Sequence, residues 1–200
     1  VENMGINLLH RKEQLVLTTI DIIDELGIQK LTTREIAKRQ EISEATLFRH
    51  FKNKNELIAA VIDYFIQFDT DILQSAKLHD LAPTKALIYL ITSYAEYYEN
   101  YKAIASILQI FDVLQYEADL SDKIKEVQLK RTSTLQLLIE EAKQAGEFSK
   151  DIDSNMVAVM ISGLFREICF NWKITNYNFS LRERTLSTLD LLLTALHNKS

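Results

Sequence analysis

Two hundred residues with 47% apolar content suffice for an ordinary buried core and exclude a disordered or fibrous chain. One proline and four glycines leave few sites for the tight turns of a sheet-rich protein, while Leu, Ile, Ala, Glu and Lys dominate, so the expected class is all-α. The formal charge of −5 argues against nucleic acid only if it is evenly spread; from Lys30 to Lys54 seven bases stand against three acids, a local +4 on a chain whose remainder carries −9.

The first helix is expected from about Leu8 to Leu26, on the apolar spacing of Leu9, Leu15, Ile20, Ile23 and Leu26, with Gly27 and Ile28 as a stop. Thr32 and Glu35 have the spacing of a capping box, the Glu35 carboxylate reaching back, and open a short second helix from Thr33 to about Arg39. Ser43 caps a third helix to about Phe51, and Asn53 with Glu56 caps a longer fourth to about Ala76. Pro83 opens a fifth toward Asn100, and a sixth covers Ala103 to Leu114. A seventh begins at Asp119 or Ser121 and stops at Gly146, with Phe148 placed for the closing apolar contact. The eighth and ninth run near Ile152–Ile174 and Leu181–His197, the last behind a second capping box, Ser180 to Glu183. About nine helices thus form an N-terminal three-helix module, residues 1–54, and a C-terminal antiparallel bundle, residues 55–200. The fourth helix is shared between them as a stiff link.

Cys169 has no partner for an intrachain disulfide, and with His10, His50, His79 and His197 it shows no metal-ligand spacing, so no metal and no cofactor are expected. A nucleophile paired with a base and a phosphate-binding glycine loop are also missing, which disfavours an enzyme. The N-terminal stretch lacks a secretory pattern and no long uncharged apolar run follows, so the expected location is cytoplasmic, with no membrane partner.

Leu31 to Leu57 has the organisation of a helix-turn-helix. Ile36, Ala37, Ile42, Leu47 and Phe51 form its apolar side, Ala37 being small enough for two helices to cross closely and Ile42 plugging the turn. Glu44, Ala45, Phe48 and Arg49 are left pointing outward. At these positions the chain resembles the tetracycline-repressor (TetR) family, whose module reads T-x-R-x-I-A, a turn, then S-x-x-T-L-[YF]-x-[HY]-F-x-x-K-x-x-L. Here those places hold Thr32 or Thr33, Arg34, Ile36, Ala37, Ser43, Thr46, Leu47, Phe48, His50, Phe51, Lys54 and Leu57.

The resemblance implies that the third helix enters the major groove of double-stranded operator DNA. Thr33, His50 and Lys54 would hold the backbone, and Arg34, Ser43, Glu44, Ala45, Thr46, Phe48 and Arg49 complete the expected DNA-binding set. It further implies a homodimer on a pseudopalindromic site, and a cavity for a largely apolar small-molecule inducer among the middle helices. Phe65, Tyr97, Phe111, Phe165, Cys169 and Trp172 are the candidate lining, although ordinary core packing predicts the same residue types. Binding of the inducer would tilt the fourth helix and release the operator, so a repressor is expected.

The dimer face is expected on Met156, Val159, Ile161, Leu164 and Ile168, with Leu186, Leu189, Leu193 and Leu196, and Gly163 allows close approach. Two departures from the family pattern stand out. Gln40-Glu41 occupies the turn where a small residue and glycine are usual, and Phe48 lacks the hydroxyl of the usual tyrosine. The alternative is a helical ligand-binding or adaptor protein with a degenerate helix-turn-helix.

Overall fold

The structure, a computed structural model, describes residues 2–78 and 80–196, with side chains placed for 10–76 and 80–196. Leu9's side chain, His79 and His197 lie outside the described residues. Among them the elements are α1 (Glu2–Leu26), a 3-10 turn (Ile28–Lys30), α2 (Thr33–Arg39), α3 (Glu44–Phe48), α4 (Lys54–Leu78), α5 (Pro83–Asn100), α6 (Ile104–Leu114), α7 (Ser121–Gln144), α8 (Ser154–Ile174) and α9 (Leu181–Leu196). The all-α expectation holds, and no described helix is long and apolar enough to cross a membrane.

Two compact units divide the chain. The first comprises Val1–Gln67 and Lys102–Ile124, the second Phe68–Tyr101 and Lys125–Ser200. This division does not follow the 54/55 boundary drawn from the sequence, because Leu57, Ile58, Val61, Ile62 and Phe65 of α4 are buried residues of the first unit. Both α4 and α7 begin in the first unit and end in the second.

In the first unit α1 buries Leu15, Thr19, Ile20, Ile22 and Ile23 and packs on α2 and α6. Gly27 ends α1 at φ 80, a conformation only glycine adopts cheaply, and its amide donates to the Ile23 carbonyl at 3.0 Å.

The second unit is centred on α5 against α9, where Leu181, Thr185, Leu189 and Leu193 recur every fourth residue and are all buried. The start of α9 is capped twice over. Ser180 Oγ accepts from the Glu183 amide at 3.2 Å, and the Glu99 carboxylate of α5 accepts from the amides of Leu181 (3.2 Å) and Arg182 (3.3 Å). An anion there satisfies orphan N–H groups and suits the positive end of the helix dipole. Asp153 does the same work for α8, Oδ1 accepting from the Met156 amide at 2.9 Å. Gly146, at φ 76, closes α7 with Phe148 fully buried behind it.

Helical phase corrects the expected dimer face. Ile161, Leu189 and Leu193 point into the chain's own core, where they are at most 1% exposed. The apolar side chains left in the open are Met156, Val159, Met160, Phe170 and Ile174 on α8 and Leu191 on α9. A Cβ added at Gly163, on the same side of α8, would meet nothing within 4 Å.

Phase also sets a stability contrast. Leu189→Ala is expected to cost about 2–5 kcal/mol through the cavity it leaves. In the isolated chain Leu191→Ala should stay within about 0.5 kcal/mol. Urea unfolding of both variants, each judged at a protein concentration where the chain is monomeric, measures the difference.

Candidate DNA-binding surface

The surface is built on three short segments that cannot stand alone. Thr32 caps α2, its Oγ1 accepting from the Glu35 amide at 3.1 Å. The Glu35 carboxylate does not complete a reciprocal box; it takes the Arg39 Nε at 3.0 Å, and Arg39 Nη2 reaches Glu25 of α1 at 2.8 Å. A guanidinium with two acceptors pins α2 to α1 more effectively than a box would, since it links two helices instead of one helix to its own start.

The turn follows from backbone geometry. The Gln40 amide donates to Ile36 O and the Ile42 amide to Ala37 O, which requires Glu41 to take φ 52. A non-glycine residue there carries strain of about 1–2 kcal/mol. Gln40 repays part of the irregularity: its Nε2 donates to Thr18 Oγ1 at 2.6 Å and its Oε1 accepts from Arg11 Nη1 at 3.3 Å, so the turn is tied to α1.

Ser43 then caps α3, its Oγ accepting from the Thr46 amide at 3.1 Å. The helix is shorter than expected, ending at Phe48 with a turn through Arg49 and His50 before Phe51. Leu47 is fully buried and Phe51 nearly so, as are Ile36 and Ala37 of α2, on which α3 packs. Asn53 caps α4 through the Glu56 amide at 2.8 Å, while the Glu56 carboxylate accepts from the Lys52 amide at 2.6 Å.

Burial of Leu47 turns the opposite side of α3 to solvent. Arg34, Ser43, Glu44, Ala45, Phe48 and Arg49 are exposed, and Thr33, Thr46, His50 and Lys54 are half-buried. Phe48, at 46% exposed, is a large apolar ring in the open. Along this side Thr46 Oγ1 lies 3.0 Å from Ser43 Oγ and accepts from Arg49 Nη2 at 3.1 Å, which draws the guanidinium back along the helix. Thr33 differs from expectation, for its hydroxyl donates to Glu44 Oε2 at 2.6 Å. Both groups must part before Thr33 can serve a phosphate.

Two bases that the motif did not point to add to the surface: Arg11 and Lys12 of α1. With Arg49 they act on His50, whose pKa is held below its ordinary 6.5 first by burial and then by Lys12, Arg49 and Arg11 in turn. Lys12 Nζ also sits 5.5 Å from the centre of the Phe51 ring. In the sequence Arg11 and Lys12 are an ordinary dipeptide on a polar helix face, and no local spacing announces their neighbours.

The candidate ligand residues fall into two sets. Phe65 and Phe111, both buried in the first unit, meet edge to face with centroids 5.6 Å apart. Phe165, Cys169 and Trp172 are buried and Tyr97 half-buried in the second. There Tyr98 lies 5.6 Å from Phe165, Phe68 stacks on Tyr97 at 4.1 Å, and burial pushes the Cys169 thiol up to about 12.

A polar cluster that the sequence reading passed over occupies the second unit. Arg131 of α7 donates to Asp69 of α4 through Nε (2.5 Å) and Nη2 (2.7 Å), and Nη2 also reaches the Tyr98 hydroxyl at 3.3 Å. Tyr94 is hydrogen-bonded to Asp69, and its ring lies 5.3 Å from the Arg131 guanidinium carbon. Burial opposes the Arg131 charge, but Tyr98, Asp69 and Tyr94 together hold its pKa above the ordinary value, while burial raises both tyrosines. Arg131 and Asp69 stand 62 residues apart in the chain, Arg131 beside Lys130 and Asp69 two places before Asp71, and a charge in either setting reads as solvated surface. Among the described residues no group of His, Cys, Asp and Glu could hold a metal ion.

Two measurements test this geometry. Glu41→Gly should relieve the turn and raise stability by about 0.5–1 kcal/mol, less than the full strain because glycine also loosens the unfolded chain. His50 offers a pH test. Its folded pKa is depressed, so the unfolded chain binds the proton first as pH falls through about 6.5, and stability drops over that range. His50→Gln should flatten this part of the slope, as read from urea midpoints between about pH 7.5 and 5.5.

Comparison with known proteins agrees with the residue-level picture. The family described as "Bacterial regulatory proteins, tetR family" matches residues 15–61, and "YsiA-like protein, C-terminal region" matches residues 55–195. The chain is 22% identical over 191 residues to the "Fatty acid metabolism regulator protein" of Bacillus subtilis, covering 93% of this chain and 95% of that protein. The structure of the transcriptional regulator FadR from Bacillus subtilis in complex with stearoyl-CoA superposes with a TM-score of 0.80 at 22% identity, over 92% of this chain and 99% of that one. The ketosteroid transcriptional regulator KstR2 of Mycobacterium tuberculosis superposes at 0.78 with 18% identity, over 94% and 96%. The chain belongs to the TetR family, as a ligand-responsive transcription regulator with an N-terminal DNA-binding helix-turn-helix and a C-terminal ligand-binding region.

Proposed function

We propose that this regulator is a cytoplasmic repressor that binds a pseudopalindromic operator as a homodimer and leaves it when a long-chain acyl compound binds its C-terminal region. The observation that carries the DNA part is the phase of α3: Leu47 is fully buried, and the opposite side presents Ser43, Glu44, Ala45, Phe48 and Arg49 to solvent. Arg49, held by Thr46, is the candidate for guanine or for phosphate; Ala45 and the exposed Phe48 ring suit a thymine methyl. Lys54, His50 and Arg34, with Arg11 and Lys12, supply the sequence-independent grip on phosphate. The exposed ring and the bases argue for a working module and against the degenerate one.

The dimer reading rests on the open stripe of α8, from Met156 through Met160 and Phe170 to Ile174, with Gly163 leaving room for a second helix. A two-fold pair places two recognition helices about 34–36 Å apart, one turn of the duplex. Functionally the division at 54/55 assigns α1 to α3 to DNA and the remainder to ligand and partner.

The ligand class follows from the fatty acid regulators among the relatives, one of them a complex with stearoyl-CoA. The second unit offers a suitable apolar interior in Phe165, Cys169 and Trp172, with Tyr97 half-buried in the same unit, while Phe65 and Phe111 are buried within the first unit. A merely apolar ligand such as a steroid is the outcome to set against it.

Selection from a random duplex library by the full-length protein tests the proposal. The expected result is an inverted repeat. Arg49→Ala and Lys54→Ala should each weaken binding of the selected duplex by about tenfold, Arg49→Ala with relaxed sequence preference and Lys54→Ala without it. Stearoyl-CoA should weaken the wild-type complex in fluorescence anisotropy. Recovery of no common sequence at moderate salt would defeat the repressor reading, and indifference to stearoyl-CoA would defeat the acyl ligand alone.

A further inference from the structure

We propose that Arg131 and Asp69 are the polar seat of the ligand site, Arg131 donating to a neutral carbonyl oxygen of the ligand and Asp69 turning free carboxylates away; this rests on the ligand reading above. The pair is out of place as a stabilising device. Buried ion pairs carry a desolvation cost that apolar side chains of the same volume avoid, so one kept in an apolar interior calls for a role that apolar packing does not fill.

Its surroundings are those of a ligand seat. Asp69 of α4, Tyr94 and Tyr98 of α5 and Arg131 of α7 all belong to the second unit, as do Phe165 and Cys169 of α8. The Phe165 ring lies 5.6 Å from that of Tyr98 and 6.4 Å from that of Tyr94, and the Cys169 thiol is close enough to feel the Arg131 charge. The charged group thus adjoins two of the apolar residues that the sequence reading put in the lining. Burial is the first influence against the Arg131 charge, which sets the side chain deep in the unit. Yet 17% of that side chain stays open, against 7% for Asp69. An open part on a deep guanidinium borders space inside the unit, where a ligand oxygen finds a charged donor.

Charge balance selects the kind of oxygen. Asp69 already matches the guanidinium through two hydrogen bonds, at Nε and Nη2. A ligand carboxylate would set a second anion beside the first in an apolar interior, where like charges disfavour each other and neither is solvated. The carbonyl of an ester, thioester or amide accepts from the same donor and adds no charge. Tyr94 and Tyr98, both raised by burial, stay protonated and add none either.

The test is equilibrium dialysis of full-length protein at neutral pH against two pairs of probes, decanamide with decanoate and myristamide with myristate. The members of a pair match in shape and differ in charge. Wild type should bind the amide about tenfold or more tightly than the carboxylate. Asp69→Asn leaves the arginine charge unmatched, so the order should reverse, the carboxylate leading by about tenfold at unchanged helicity. A residue that only holds the fold would weaken both probes alike. Asp69→Asn combined with Arg131→Gln is uncharged and keeps the shape of the cluster, which covers the case in which the single variant does not fold. There the amide should weaken by about tenfold, with no gain for the carboxylate, because a charged donor has become a neutral one. A wild type that prefers the carboxylate or binds neither probe overturns the seat, as does an unreversed order in Asp69→Asn or wild-type amide affinity in the double variant. Dialysis uses no DNA and no stearoyl-CoA. Failure of the duplex selection, or an operator complex indifferent to stearoyl-CoA, therefore sinks the repressor or the inducer reading, while the order of amide and carboxylate decides the seat.

Discussion

A helix of five residues has no stability of its own, because the nucleation cost of the first turn is never recovered by propagation. The proposed DNA face is such a helix, and its direction depends on the burial of Leu47, with Phe51 four residues on, where α3 packs on α2. Every exposed group on α3 inherits its orientation from that contact. The caps at Thr32, Ser43 and Asn53 satisfy the first amides of each segment, but they set where helices begin, not which way they face.

Part of the basic segment's charge is used inside the fold. Arg39 is spent internally on Glu25 and Glu35, and Arg11 leans on Gln40, so that part of the basic segment works as mortar. Burial first, and then Lys12, Arg49 and Arg11, hold the His50 pKa below its ordinary value.

The second unit solves a different problem. Its apolar stripes on α5 and α9 recur every fourth residue and bury each other, while α8 buries one side and leaves the other open. Among these helices the Arg131 charge is balanced by the Asp69 carboxylate, with the Tyr98 hydroxyl within hydrogen-bond reach and the Tyr94 ring beside the guanidinium. Such a group is stable only when its geometry is met, so it converts a shift of any of four helices into a change of energy.

The order of the helices, their caps at Ser43, Asn53 and Ser180, and the outward side of α3 were all legible in the chain. They depend on residues three or four apart, and local geometry acts over that distance. Even the strained turn was foreshadowed by Glu41 standing where glycine is usual, and it takes φ 52. Tertiary structure alone decided which of two apolar faces α8 and α9 keep for themselves, that Thr33 is engaged by Glu44, and that Arg11 and Lys12 join the basic surface. It also decided that Asp69 and Arg131, 62 residues apart, meet at all. A periodic pattern says that a helix has an apolar side but not what covers it, and a charge shows its partner only once the chain has brought the two together.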